Sequence, residues 1–197
     1  MKIRSEPFLW IHLGGIAVFP LMWFIALVGL GVGDRYSYLV ELPFLLAIAI
    51  LPVFLMQLYR PFNIFSLLFF YLQPESLTED RRRILTLFRN QQQKVVTYLV
   101  AILMSLSLGL LYYFAPLTAD LSAALPQNRI LGLAIATVAL FGSNLFLQVP
   151  LSALQVLFHD EQTSTKPCTL EEVEQQFTAF GVKLNRIPLL SKSSKQV

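Results

Sequence analysis

Few residues in this sequence are of a type that does chemistry, and those few stand far apart. Two histidines occur, His12 and His159. Imidazoles from separate helices of a bundle can ligate haem or chlorophyll, which makes these two the candidate cofactor ligands. No Asp, Glu or Cys accompanies His12 within its apolar run, and a metal centre, which needs a larger ligand set, is not expected. Ser143, Asn144 and Gln148 form a second group. Asn144 and Gln148 fall one helical turn apart on one face, where amides in an apolar helix either bond to neighbouring helices or, alternatively, contact a solute. Third is the run Arg81, Arg82 and Arg83, beside apolar Ile84, Leu85 and Phe88. Cations in that setting grip anionic headgroups or an acidic partner, or serve only as a topology signal. The single cysteine, Cys168, allows no intramolecular disulfide and reads as a free thiol. Neither G-x-S-x-G, nor a phosphate-cradling G-x-x-x-x-G-K, nor H-E-x-x-H occurs. The acidic group Glu171, Glu172 and Glu174 reads as the solvated face of a short helix, so no enzymatic activity is expected.

The elements that must position these residues belong to a membrane protein. Of 197 residues 55% are hydrophobic and only 14% charged, far from soluble averages. A net charge of +3 in such a chain reflects topology and anionic lipid rather than nucleic acid. The first apolar run, residues 8–32, exceeds the roughly 7–15-residue core of a signal peptide and reads as a spanning helix with His12 as its only titratable group. The expected fold is an all-α integral membrane protein. Four transmembrane helices, at about residues 8–32, 42–59, 95–117 and 130–149, form a membrane domain over residues 1–158. Residues 60–94 are its cytoplasmic loop, and residues 159–197 a cytoplasmic tail with a short helix at about 170–180. Pro20 predicts a kink, Pro52 lies inside the second helix, and Pro150 is expected to divide the fourth, with residues 151–158 continuing as a bent or interfacial turn. The glycines of residues 29–33 read as a helix terminus, with close approach of a neighbour as the alternative. Ser105 and Gly109 make a small-x-x-x-small pair, Gly14 and Gly15 ease packing, and Trp10 suits an interface.

Two segments outside the spans carry structure. Residues 61–72 are apolar but too short to cross, and read as an interfacial or re-entrant segment. From Thr78, an expected N-cap, an amphipathic helix follows; its apolar face meets lipid, a partner or the protein's own helices. In the tail, residues 160–165 read as a linker and residues 169–172 as a capping box. Leu170, Val173, Phe177 and Phe180 line one side of a helix that Gly181 ends, and residues 191–197 read as disordered. Thirteen of the fifteen Lys and Arg fall in the N-terminus, the 60–94 loop and the tail; only Arg35 and Arg129 fall opposite. That asymmetry puts both termini in the cytoplasm.

Four phrases, SEPFLWIHL at residues 5–13, RPFNIFSL at 60–67, LTEDRRRIL at 77–85 and LFLQVP at 145–150, together resemble a cyanobacterial family known as low-complexity tail membrane proteins. The resemblance covers most of residues 5–190 and implies a cyanobacterial thylakoid or plasma membrane; it carries over no catalytic residue. The biased C-terminal extension for which the family is named is the departure, since the sequence ends at Val197. The function expected is a non-enzymatic polytopic protein that binds or helps assemble a larger, photosynthetic membrane complex, with membrane lipids and protein subunits as partners. A small-solute transporter or channel is one alternative, although the absence of carboxylates and cations inside the expected spans argues against a pump. A haem- or chlorophyll-binding protein using His12 and His159 is the other.

Overall fold

The structure is a computed structural model that describes residues 3–67, 69–159 and 166–185. Four helices are long and apolar enough to cross a membrane: Pro7–Gly31, Tyr38–Tyr59, Gln91–Ala123 and Arg129–Leu157. The protein is integral to a membrane and mainly helical. The second span begins earlier than its apolar run because Ser37 caps it, its hydroxyl accepting from the Leu39 N–H. Asn128 does the same for the fourth, accepting from Ile130 and Leu131.

The three prolines act differently. Before Pro20 the first span tightens to a 3-10 turn, Gly15–Ala17, at the place where the Ile16 carbonyl loses its donor. Before Pro52 the second span widens to a π-helical turn, Leu46–Ile50, with the Leu51 N–H reaching back to the Leu46 carbonyl. Pro150 divides nothing: the fourth span runs as one helix from Arg129 to Leu157. Its ring is buried against Gly15 of the first span, where a Cβ would stand 3.4 Å from the Phe146 ring and 4.0 Å from Pro150. Packing on that side outweighs the roughly 3 kcal/mol that proline costs inside a helix.

The fourth span packs against all three others. Its closest approach is to the first, at Gly29 and Gly132. A Cβ on Gly29 would lie 2.8 Å from the Ala136 nitrogen and 3.0 Å from the Gly132 oxygen. Terminating the helix is thus the role of Gly33, at φ +67°, whereas Gly29 serves the contact. Ala26, Ala49, Ala136 and Ala139 continue this small-residue core, with Met104 and Leu108 filling it from the third span.

A second core lies at the end of the bundle that carries both terminal segments. Ile3 from the N-terminus, Phe65 and Leu85 from the 60–94 loop and Val173 and Phe177 from the tail meet there, over Val156 of the fourth span. Residues 61–66, expected to be re-entrant or interfacial, are instead buried in this core. They lead into a hairpin of β1 (Ser66–Leu67) and antiparallel β2 (Phe70–Leu72), and β3 (Val182–Leu184) joins β2 in parallel with Tyr71 opposite Lys183. The helix expected after Thr78 forms at Glu79–Leu87 with Thr78 capping Arg81. The tail helix, Leu170–Gln176, has its Thr169–Glu172 capping box but ends before the expected residue 180, because Phe177 is drawn into the core in extended conformation. Gly181, at φ +96°, turns the chain into β3 with no room for a Cβ against Phe69. The linker at 160–165 and the residues at 191–197 fall outside the described residues.

Cys168 sits in this core with its thiol donating to the Arg82 carbonyl at 3.1 Å, and burial pushes its pKa up. A raised pKa leaves little thiolate at neutral pH, so Cys168 should resist maleimide in the native protein and react fully once it is unfolded in SDS. Native labelling at the rate of a small free thiol would contradict this burial.

Candidate functional site

Asn144 and Gln148 lie between the second and fourth spans. The Asn144 Nδ2 donates to the carbonyls of Ile50 at 3.1 Å and Ala49 at 3.4 Å, the last two of the π-helical turn. Gln148 Nε2 in turn donates to Asn144 Oδ1 at 3.1 Å. An irregular turn inside a bilayer needs such protein partners. Asn144 therefore fastens the fourth span to the second, with Gln148 bracing it from within the fourth, while Ser143 Oγ and Gln148 Oε1 are buried without a partner among the described residues. A second polar layer stands nearer the termini. Gln57 accepts from the Phe62 N–H at 2.8 Å and Gln93 donates to the Ser152 carbonyl at 2.9 Å, joining the second and third spans to the loop and the fourth span.

At the opposite end lies a pair that sequence reasoning placed in loops. Arg129 and Glu41 are 5% and 1% exposed. Arg129 Nε donates to Glu41 Oε1 at 2.7 Å, and its Nη2 to Oε2. Its Nη1 donates to the carbonyls of Leu30 and Val32, both at 2.9 Å. One guanidinium thus caps the first span and clamps it to the second and fourth. The expectation that the spans hold no carboxylate or cation is corrected, since Glu41 lies inside the second and Arg129 opens the fourth. The available signal was that Glu41 and Arg129 are opposite charges at the same membrane level.

The histidines are not brought together by any described contact of His12. Its Nδ1 lies 2.8 Å from the Phe8 carbonyl and its Nε2 3.0 Å from that of Ser66, with the ring tilted on Phe62. Both nitrogens face backbone oxygens, which leaves none directed at a metal; His12 fastens the first span to β1. His159 Nε2 is buried without a described partner. Among the described residues no group of three or more His, Cys, Asp or Glu could hold a metal ion.

The arginine run is largely engaged with its own chain. Arg81 pairs with Glu6 through two bonds of 3.2 and 3.3 Å, and its guanidinium lies 5.7 and 5.5 Å from the ring centres of Phe8 and Phe65. Arg82 donates to the Cys168 carbonyl at 3.4 Å, while Arg83 is half-buried. Ile84, Leu85 and Phe88, read as a lipid or partner contact, are 2%, 0% and 4% exposed. This corrects that reading, because Ile3, Phe65 and Val173 cover the face first.

The phrases that carry the resemblance hold several of these contacts: Glu6, Phe8 and His12 in the first, Phe65 and Ser66 in the second, Arg81 in the third and Gln148 in the fourth. The sequence matches the low-complexity tail membrane protein-like family over residues 5–189. The chain belongs to this family. No curated protein and no solved structure matches it.

The match takes in the terminal core as well as the four spans. On the outside of this low-complexity tail membrane protein-like chain, the third span borders two apolar grooves. One of about 570 Å³ runs between the second and third spans, lined by Leu46, Ile50, Phe54, Tyr98, Ala101 and Ser105. The other, about 360 Å³, separates the third span from the end of the fourth, with Val100, Leu103 and Leu154 among its walls. One turn beyond Ser105, Gly109 has nothing within 4 Å of where a Cβ would stand.

Proposed function

We propose that this membrane protein is a non-enzymatic docking subunit that binds or helps assemble a larger membrane complex. The observation that carries this reading is the outward face of the third span. Ala101, Ser105 and Gly109 recur every fourth residue there; the first two border an open apolar groove and Gly109 continues the stripe with open space over it, the kind of surface against which a partner's transmembrane helix packs closely. Inside the bundle, by contrast, the strongest hydrogen-bonding groups hold the helices to one another. The cyanobacterial setting implied by the resemblance supports a thylakoid location and a photosynthetic partner, and the cation asymmetry supports cytoplasmic termini.

Gentle detergent extraction followed by affinity mass spectrometry tests the proposal. Ser105→Leu combined with Gly109→Leu fills the face without touching the core, since both positions are exposed. Subunits recovered with the wild-type protein should fall at least about tenfold with the variant, equivalent to about 1.4 kcal/mol of lost affinity, at an unchanged melting temperature. Equal recovery, or a wild-type protein that purifies as a bare monomer in several mild detergents, would overturn it.

A further inference from the structure

The hairpin of the terminal core ends in an apolar tip that the described residues leave largely uncovered, with only Phe180 stacked on Phe62. Phe69 and Phe70 are 68% and 46% exposed, and Phe180 and Val182 are 41% and 63% exposed. Pairing of β2 with β3 sets Val182 beside Phe70, and the Val182 N–H donates to the Phe69 carbonyl at 2.9 Å. Gly181 lies directly on the Phe69 backbone. Exposed apolar side chains from two segments more than a hundred residues apart in sequence therefore gather at one end of the sheet, and clustered apolar surface marks a contact with lipid or protein.

Bonds at the two ends of the first span fix the depth of that surface. Arg129 holds the Leu30 and Val32 carbonyls at the far end of the first span. Counting back from Leu30 by the roughly 20 residues that cross a hydrocarbon core of about 30 Å reaches the level of Ile11. His12, next to it, bonds to the Ser66 carbonyl of β1. The hairpin thus starts at the hydrocarbon boundary, and its tip, three or four residues further at about 3.3 Å each, stays within about 10–13 Å of it. Charge sets the direction. Residues 66–72 and 180–182 contain no charged group; charges begin only at Lys183, opposite Tyr71, and at Glu75, beyond the far end of β2.

We propose that Phe69, Phe70, Phe180 and Val182 form a membrane-dipping edge, seated among the headgroups and upper acyl chains of the leaflet on the terminal side. Aromatic side chains favour that region. The edge would hold the tail at the membrane through β3, without a further spanning helix.

Nitroxide labelling of the full chain in nanodiscs tests this. In a Cys168→Ser background, labels are placed one at a time through Phe69→Cys and Val182→Cys, with Leu99→Cys as a lipid-facing control and Glu75→Cys as a water-facing one. Phe69 and Val182 are both largely exposed, so neither substitution removes core packing, and either label alone suffices if the other variant does not fold. The expected result is loss of relaxation by an aqueous nickel complex and retention of relaxation by oxygen, as at Leu99. Nickel access equal to that at Glu75 would overturn the proposal in favour of a water-facing surface. Protection from both reagents that disappears when one protein is reconstituted per nanodisc would also overturn it, in favour of a second copy of the chain; protection from both that persists would mean burial in the protein itself.

Discussion

Replacing Arg129 by methionine should destabilise the folded bundle by about 3–5 kcal/mol, the cost of leaving one member of a buried ion pair alone. Two losses add here. Glu41 keeps only the Tyr36 N–H and the neighbouring Tyr112 hydroxyl, with no cation bonded to its carboxylate, in surroundings that leave it 1% exposed. The carbonyls of Leu30 and Val32 lose the guanidinium that caps the first span. Removing both charges, by Glu41→Met with Arg129→Met, lifts the first loss but not the second, so the double variant should fall between the single variant and the wild type. Arg129→Lys keeps the charge, but one ammonium cannot reproduce a fork that meets a carboxylate and two carbonyls, and it should fall between as well. Unfolding by SDS titration of the purified protein measures all three. A single variant within about 1 kcal/mol of wild type, the range of exposed pairs, would mean that water reaches this pair.

The spans were legible because membrane thickness acts on composition directly: a run of about 20 apolar residues needs no knowledge of its neighbours to be recognised. What covers a helix face does need that knowledge. The spacing of Ile84, Leu85 and Phe88 showed a single apolar side, but whether lipid, a partner or the chain itself meets it was decided by Ile3, Phe65 and Val173, which come from three other segments. β3 was illegible for the same reason, as its pairing partner lies over a hundred residues earlier. Counting charges on each side of the membrane showed the asymmetry of the chain, yet a count cannot show that Glu41 and Arg129 find each other. Proline, too, was read from local rules. The helix changes type ahead of Pro20 and Pro52, but it runs unbroken through Pro150, which is buried against Gly15.

Alanine at three glycines should separate packing from helix propensity in the same way. At Gly132 a Cβ would stand 2.7 Å from the Gly29 oxygen and 2.8 Å from the Val32 Cβ. The first of these is backbone and cannot yield without parting the first and fourth spans, so Gly132→Ala should cost about 1–3 kcal/mol and larger residues more. At Gly14 and Gly109 nothing lies within 4 Å, and the same substitution should leave stability unchanged or raise it by about 0.5–1 kcal/mol, the usual advantage of alanine in a helix. The three changes are chemically identical and all lie in apolar helices, so opposite shifts in melting temperature can arise only from what each Cβ meets. Gly132 is also one turn from Arg129, and both hold the same end of the first span. If Gly132→Ala pushes that end away, the guanidinium has already lost the Leu30 and Val32 carbonyls, and adding Arg129→Met should cost less than the sum of the two single changes. Strict additivity, or a Gly132→Ala variant as stable as Gly109→Ala, would show that the first and fourth spans do not cross at these glycines.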